Sequence, residues 1–393
     1  MDSGHRFRDW SGMPNELLQD IFLKIDCLDD AIHFSFVCKE WLSVFRQVGP
    51  NLSSANPWLL FPENTEDNPE GMRKVYNPGN KYYNLRVPEI FGKKCWGSSL
   101  GWIVTYDGEL EISLFNPLTK SRLQLPPSNT MMPEQAYVDP SCDSKYNNRN
   151  LTRARHILKA CVLKTKGGTE DAGGFLVAVI HAQKCRRRKH TTVDSTYLSI
   201  ARPGDKTWTL IPTPEEMIVR DVLIWKEMLW FVTKDCSMWY ADLSETGPSL
   251  KAVKLILDPH RRFHICPKTY LVESSNHELL LVERFSSRNN LMISKSAFYP
   301  VSDEQSSDKK SPREYTHTFR IFKLDLSSKK WEHVDNASVL GESSMYMDKN
   351  TSLLVGPSKH GICKSKCIYF LDDHTAKSGG ATGDTLLFTP LLC

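Results

Sequence analysis

The chain has 393 residues, which corresponds to about two or three domains at roughly 150 residues per domain. Apolar residues make up 40% of it and charged residues 24%, the balance of a soluble protein with a sizeable core, and this excludes a mainly disordered chain. The 50 Lys and Arg residues against 46 Asp and Glu leave a formal net charge of +4, which excludes a general binder of polyanions.

The charge is distributed unevenly along the chain. Residues 1–50 carry a net charge of −3, and residues 145–190 carry +10. Everything outside the second stretch sums to −6. We therefore expect any electrostatic function to belong to one region of the molecule.

Targeting and membrane signals are not found. The N-terminus lacks the apolar core of a secretory signal, and no run approaches the roughly 18 apolar residues of a spanning helix. We therefore expect no membrane association. The 11 cysteines are scattered and odd in number, which is typical of reduced thiols. These features predict a cytoplasmic location, a nuclear one, or both.

The first fifty residues are predicted to be helical. Pro14 suits the first position of a helix, and Glu16 in the first turn complements the helix dipole. A second short helix is expected after Asp29 or Asp30, and a third over about Val37 to Arg46. Apolar residues of the first helix recur at the helical period: Leu17, Leu18, Ile21, Phe22 and Ile25. Three such short helices bury too little apolar surface to be stable alone, so a partner surface is expected.

This segment resembles an F-box. The resemblance rests on Met13-Pro14-x-Glu16-Leu17-Leu18, on Leu28-Asp29-Asp30 and on Val37-Cys38-Lys39-x-Trp41, in the order and spacing of that family. Met13 replaces the commoner leucine with little change in volume. The resemblance places an F-box domain at residues 10–50. It implies docking to a Skp-type adaptor and, through the adaptor, to a cullin–RING ubiquitin ligase.

The resemblance also implies which side chains contact the adaptor. They are Met13, Pro14, Leu17, Leu18, Ile21, Phe22, Leu28, Val37 and Trp41. Some of the nine must instead form the core between the helices, and the sequence does not sort the two roles. The alternative is a generic helical cap on the next domain, in which all of the apolar residues are core.

The rest of the chain changes to the period of β-structure. Short runs rich in β-branched and aromatic residues alternate with Gly, Asn, Asp and Pro turns, as in Gly101–Tyr106, Phe175–Ile180 and Met228–Val232. A strand–turn–strand unit followed by an outer strand recurs at roughly 40–50 residues, which is typical of kelch-like propeller blades. We therefore predict a mainly β chain, with a kelch-like β-propeller of about six blades at 57–375 and a C-terminal tail at 376–393.

The β region resembles the C-terminal half of a large plant family of F-box proteins with a poorly characterised kelch-like β domain. The matching pieces include Gly97–Trp102, Phe115-Asn116-Pro117, Arg202–Asp205 before Trp208, Tyr270–Ser274, Phe322–Asp325 before Trp331, and Cys367–Asp373. The ending after Asp373 departs from the family, which puts closure of the ring in doubt.

Catalytic and metal-binding patterns are weak. Gly97-x-Ser99-x-Gly101 fits the formula of a nucleophile elbow, but a strand is predicted after it, where an elbow requires a helix. Neither His260, His264 and Cys266 nor Cys363 and Cys367 have the spacing of a structural zinc site. We therefore expect a protein that is not an enzyme and uses no metal or cofactor.

The most basic run of the chain is Lys184–His190, which contains Arg186, Arg187, Arg188 and Lys189. Three interpretations remain open: a nuclear-import signal, a surface for an acidic partner, and a solvated loop without a role. Nucleic-acid binding is disfavoured because the run lacks interleaved aromatic residues. The region is expected to be a loop surface.

These features together predict the substrate-recognition subunit of a Skp–cullin–F-box (SCF) ubiquitin ligase. The F-box would hold the Skp-type adaptor, and the propeller would hold an unknown protein substrate. The alternative is a ligase-independent propeller module that binds proteins, in the nucleus for example. A propeller hydrolase is a third class, and Ser99 is its main sequence support.

Overall fold

The structure is a computed structural model of the chain. It describes residues 10–25, 28–48, 58–60, 71–77, 81–97, 101–117, 119–131, 156–165, 174–187, 190–214, 217–244, 250–255, 268–288, 314–347, 352–356, 366–370 and 387–389.

A small helical module forms the N-terminal part. It contains a 3-10 turn at Trp10–Gly12 and the helices α1 (Asn15–Phe22), α2 (Leu28–Ser35) and α3 (Lys39–Val48). Pro14 precedes α1, and its carbonyl accepts hydrogen bonds from the amides of Leu17 and Leu18, each at 3.1 Å. The ring of Phe22 packs against those of Phe34 and Phe45, with centroids 5.0 and 5.6 Å apart. One aromatic cluster therefore joins all three helices.

Six β-sheets follow, numbered here in chain order. The first contains β1 (Trp58–Leu60), β2 (Met72–Asn77) and β3 (Lys81–Arg86), and the second β4 (Lys94–Trp96), β5 (Ile103–Tyr106), β6 (Ile112–Phe115) and β7 (Arg122–Gln124). The third contains β8 (His156–Lys164), β9 (Phe175–Arg187), β10 (His190–Ala201) and β11 (Thr209–Ile211), and the fourth β12 (Val219–Trp225), β13 (Met228–Thr233), β14 (Met238–Asp242) and β15 (Val253–Leu255).

The last two sheets complete the series. The fifth contains β16 (Lys268–Glu273), β17 (Leu279–Arg288), β18 (Glu314–Asp325) and β19 (Lys330–Val334). A short helix, α4 (Asn336–Leu340), leads to the sixth, which contains β20 (Ser344–Met347), β21 (Ser352–Val355) and β22 (Ile368–Phe370). The final described strand, β23 (Leu387–Thr389), belongs to the first sheet.

Consecutive sheets pack face to face. Buried apolar side chains form one cluster between the second and third sheets, and further clusters between the third and fourth, the fourth and fifth, and the fifth and sixth. The first strands of the third, fourth and fifth sheets, β8, β12 and β16, lie next to one another. Radially arranged four-stranded antiparallel sheets of this kind are the architecture of a β-propeller. The predicted architecture, a mainly β propeller that follows an N-terminal helical module, is confirmed.

The ends of the β region correct two expectations. β23 pairs antiparallel with β1, so that Trp58 faces Thr389 and Leu60 faces Leu387. Leu387–Thr389 therefore form a strand of the first sheet, although they lie in the segment 376–393 that is predicted to be a tail. The pairing also supplies the closing contact that the unusual ending had put in doubt. A three-residue strand has too weak an alternation to be recognised without its partner.

The blades are less regular than the repeat suggested. Within the described residues five sheets have four strands, while the sixth has three, in the order β21-β20-β22. Its middle strand, β20, pairs with β22 in parallel, unlike the antiparallel pairs of the other sheets. Five regular blades are therefore present where about six were expected.

The basic stretch at residues 145–190 is also different from the expectation of a loop surface. The structure places most of its described residues in β8 and β9, and the pairing of β9 with β10 continues to Arg187 opposite His190. Antiparallel pairing satisfies the backbone groups there, so the strands persist beyond the apolar part of the sheet.

A buried carboxylate connects three of the sheets. Asp221 on β12 is 1% exposed, and it forms an ion pair with Lys159 of β8, which is 5% exposed. Its Oδ1 accepts a hydrogen bond from the Val222 amide at 2.7 Å, and its Oδ2 accepts one from the Leu271 amide of β16 at 2.8 Å. Register shifts directly precede both Lys159 and Asp221. Such bulges re-aim side chains, which explains how two charged groups meet between the sheets.

We expect Asp221→Ala to lower the free energy of unfolding by about 3–5 kcal/mol, because it leaves the Lys159 ammonium buried without its counter-charge. The exposed carboxylate variant Glu109→Ala is the matched control and should change stability by no more than about 0.5 kcal/mol. Denaturant unfolding of both variants measures the difference. Equal stability of the two variants would contradict the role given to Asp221.

Candidate adaptor-docking surface

Apolar side chains are exposed on the helical module. On α1, Leu17 is 53% exposed and Ile21 39%, and the two lie one helical turn apart on the same face. Between α2 and α3, Phe36 is 75% exposed and Val37 52%. Exposed groups of large apolar side chains mark interaction sites more often than chance, because water solvates them poorly.

The opposite face of α1 belongs to the core. Leu18 and Phe22 are fully buried, and they join Phe34, Val44 and Phe45 in one apolar cluster. The same cluster includes Leu60 and Val75 of the first sheet and Ile103 of the second. The helical module and the first two sheets therefore share a continuous core.

The structure sorts the nine residues predicted to contact an adaptor. Leu18 and Phe22 are core residues, so the structure assigns them to holding the helices together. Met13 and Trp41 are half-buried against the same cluster. The residues with exposed side chains are Pro14, Leu17, Ile21 and Val37. Leu28 begins α2, and its side chain lies outside the described part of the structure.

Trp41 has a visible structural role. Its ring packs on Phe34 with centroids 4.4 Å apart, and its Nε1 donates a hydrogen bond to the carbonyl of Trp10 at 3.1 Å. It therefore ties α3 to both α2 and the N-terminal 3-10 turn. Only part of its surface is left for a partner.

The Val37-Cys38-Lys39 step starts α3. The Leu42 amide donates to the carbonyl of Cys38 at 3.0 Å, which makes Cys38 the first acceptor of the helix. A hydrogen bond from the Cys38 side chain lowers the pKa of the Glu40 carboxyl below its ordinary value. The negative charge of Glu40 in the first turn then complements the helix dipole.

Sequence reasoning missed three exposed apolar side chains of the module, those of Trp10, Leu23 and Phe36. Trp10 lies in the 3-10 turn and Leu23 directly follows α1. The amide of Phe36 bonds to His33 in the turn that ends α2. A large aromatic residue directly after a short helix was the signal that could have identified Phe36.

The basic run is only partly described. Arg186 and Arg187 lie on β9, opposite Thr191 and His190 of β10, and their side chains lie outside the described part. Arg188 and Lys189 lie outside the described residues. The three interpretations of this run therefore stay predictions.

The weak catalytic and metal patterns gain no support. Ser99 lies outside the described residues, and the segment after it forms the strand β5, as predicted. His260, His264, Cys266 and Cys363 also lie outside them. Among the residues that the structure does describe, no three His, Cys, Asp or Glu side chains are grouped as a metal site would require.

One buried histidine–serine pair was not predicted. His181 Nε2 lies 2.9 Å from Ser199 Oγ, and both residues are nearly inaccessible. Ser199 Oγ also lies 3.3 Å from the carbonyl of Met131 and can donate its proton there. The pair therefore links the segment after the second sheet to the third sheet.

No helix within the described ranges is long and apolar enough to cross a membrane. The thiol of Cys161 is partly buried against the apolar cluster between the third and fourth sheets, and desolvation raises its pKa to about 12. This cysteine is therefore a packing residue and not a reactive one.

Two family models match the chain: "F-box domain" over residues 10–52 and "KIB1-4 beta-propeller" over residues 74–388. Similar chains from Arabidopsis thaliana carry F-box names. At4g22660 is 22% identical over 99% of this chain and 91% of its own length, and At4g17565 is 27% identical over 92% and 83%. The F-box protein At2g17036 is 23% identical over 88% and 78%.

Among solved structures, the extracellular domain of the one component system BT4673 from B. thetaiotaomicron is 9% identical over 85% of this chain and 52% of its own, with a TM-score of 0.26. That similarity is too low to support an argument. The two family models match the helical module and the β-sheets separately, and the second covers most of the chain. The chain therefore belongs to the plant F-box proteins that carry a KIB1-4 beta-propeller.

Proposed function

We propose that the chain is the substrate-recognition subunit of an SCF-type ubiquitin ligase. The F-box would dock on a Skp-type adaptor that is itself bound to a cullin, and the propeller would hold a protein substrate. The observation that carries the proposal is the set of exposed apolar side chains of the helical module, Leu17, Ile21, Phe36 and Val37.

The physical argument is the cost of leaving these side chains in water. Complete burial of an exposed leucine or isoleucine contributes about 1.5–3 kcal/mol, at roughly 25 cal/mol per Å² of apolar area, and covering the exposed half of such a side chain contributes about half of that. The F-box fold buries Leu18 and Phe22 internally, so the exposed members of the motif are free of a folding role. An apolar surface of a partner protein would remove these side chains from water.

The proposed role requires no catalytic group in this chain. A receptor that holds a substrate lysine beside a charged conjugating enzyme raises the effective concentration of the two reactants. The rigid sheets would supply the scaffold, and the loops between strands would supply specificity. We further propose a cytoplasmic or nuclear location, because the five cysteines whose side chains the structure describes are free thiols, as is usual in a reducing compartment.

We expect the double variant Leu17→Ala, Ile21→Ala to weaken binding of a purified Skp-type adaptor at least about tenfold, since it removes two exposed anchors from the docking face. Leu326→Ala, which removes a comparably exposed leucine from the fifth sheet, should bind like the parent chain. Titration of each chain with the adaptor measures the affinities. Unchanged binding by the double variant would favour a ligase-independent binding module.

We expect Leu18→Ala to destabilise the helical module by about 2–5 kcal/mol, because it opens a cavity in the core beside Phe22. Leu17→Ala, one residue away but exposed, should cost no more than about 0.5 kcal/mol. Hydrogen exchange of the α1 and α3 amides in the full chain measures both. Equal loss of protection in the two variants would contradict the division of α1 into a core face and a docking face.

A further inference from the structure

A groove lies between the outer edge of the second sheet and the third sheet. It encloses about 840 Å³, and one wall is β7 while the other is the turn Pro203–Lys206 that follows β10. Half of its lining residues are leucines and prolines: Leu110, Leu123, Leu125, Pro126, Pro127 and Pro203. Leu110 is 49% exposed, so the groove presents an open apolar surface to solvent.

The register of β7 shows which backbone groups face this groove. The Leu125 amide bonds to Ile112 at 3.0 Å, and the Asn116 amide bonds to Ser121 at 2.9 Å. Hydrogen-bonded pairs alternate along an antiparallel ladder, so Leu123 opposite Leu114 is also a bonded pair. The N–H and C=O groups of Arg122 and Gln124 therefore point away from β6, toward the groove.

One of these outward groups is already used. The amide of Gly204, whose φ of 90° suits glycine, lies 3.4 Å from the carbonyl of Gln124. The turn thus closes the groove at Gln124. The N–H and C=O of Arg122 remain directed at the open part, where a partner strand could exchange both hydrogen bonds with one residue.

Some of the charged side chains around the groove have polar partners, and Lys206 has no carboxylate partner among the described residues. Glu111 pairs with Arg122 and with Lys93, the latter at 3.9 Å, and Asp205 accepts a hydrogen bond from the Arg202 amide at 2.7 Å. Lys206 is exposed, and within the described part of the chain no carboxylate lies at ion-pair distance from its ammonium group. The rim therefore has a positive charge available to a ligand.

We propose that this groove binds an extended peptide segment of a partner protein, which adds to β7 as a fifth strand of the second sheet. The segment pairs with the backbone of Arg122, places an apolar side chain against the exposed Leu110, and sets an acidic side chain beside Lys206. Main-chain bonds provide affinity in this mode, while the pockets for side chains provide specificity. Identifying the partner as a ubiquitination substrate rests on the proposed function, whereas the peptide site itself does not.

The test uses the purified full chain, without adaptor, to select from a displayed library of random short peptides. We expect selection of a shared motif that contains an apolar and an acidic residue. Lys206→Glu should weaken binding of the selected peptide about tenfold and select basic peptides instead. Lys234→Glu, at an exposed lysine outside the groove, should select the original motif.

A second measurement tests the strand addition directly. N-methylation of the selected peptide removes one backbone donor at a time without changing a side chain. It should abolish binding at the peptide residue that pairs with Arg122 and should be tolerated at the two neighbouring residues. Leu110→Arg should weaken binding while leaving thermal unfolding unchanged. No shared motif, an unchanged motif in Lys206→Glu, or binding indifferent to every N-methyl group would overturn the proposal.

The alternative occupant of a free strand edge is a second copy of the chain. Sedimentation of the parent chain that shows a dimer, lost in Leu110→Arg, would also overturn the peptide proposal. Peptide binding and adaptor binding are measured separately. Adaptor binding without peptide binding would reject the groove and support the proposed function. Peptide binding without adaptor binding would support the groove and reject the proposed function.

Discussion

The structure depends most on the Asp221 carboxylate. Asp221 lies on a strand of the fourth sheet. Its carboxylate forms an ion pair with Lys159 of the third sheet and accepts a hydrogen bond from the Leu271 amide of the fifth. A buried charge is costly unless it is paired and fully hydrogen-bonded, so this arrangement exists only when all three strands are in register. The apolar clusters between the sheets provide most of the driving force, but apolar contacts are not directional. The carboxylate therefore specifies how the inner strands are aligned.

The helical module follows from the same need to bury apolar surface. Its three short helices share one cluster with the first two sheets, which provides the core that a module of this size lacks by itself. The packing uses Leu18 and Phe22 and leaves Leu17 and Ile21 in water. One face of the amphipathic helix α1 thus packs in the core, and the other face exposes apolar side chains to solvent. The groove beside β7 is a second exposed apolar surface on a different element, so the two proposed sites do not overlap.

Several features were predictable because they are local. The helical period around Leu17 and Ile21 and the runs such as Phe175–Ile180 follow from side-chain spacing alone, and both elements are present. The loop expected around Arg186 was wrong, since composition gives no information about whether a neighbouring strand satisfies the backbone. The loose sequence repeat also did not predict which sheets are regular and which is irregular. Pairing such as that of β20 with β22 joins segments that are separated in the chain.

The sequence by itself determined the two parts of the chain, the class of each part and the family, because these rest on periodicity, composition and motif order. Only the tertiary structure decided which residues do which task. Leu17 and Leu18 are chemically identical neighbours, and the packing of Phe34 and Phe45 against one face of α1 separates an exposed residue from a core residue. Likewise, Leu387–Thr389 became a strand of the first sheet only by pairing with β1. Burial and pairing are relations between distant segments, and a linear pattern does not contain them.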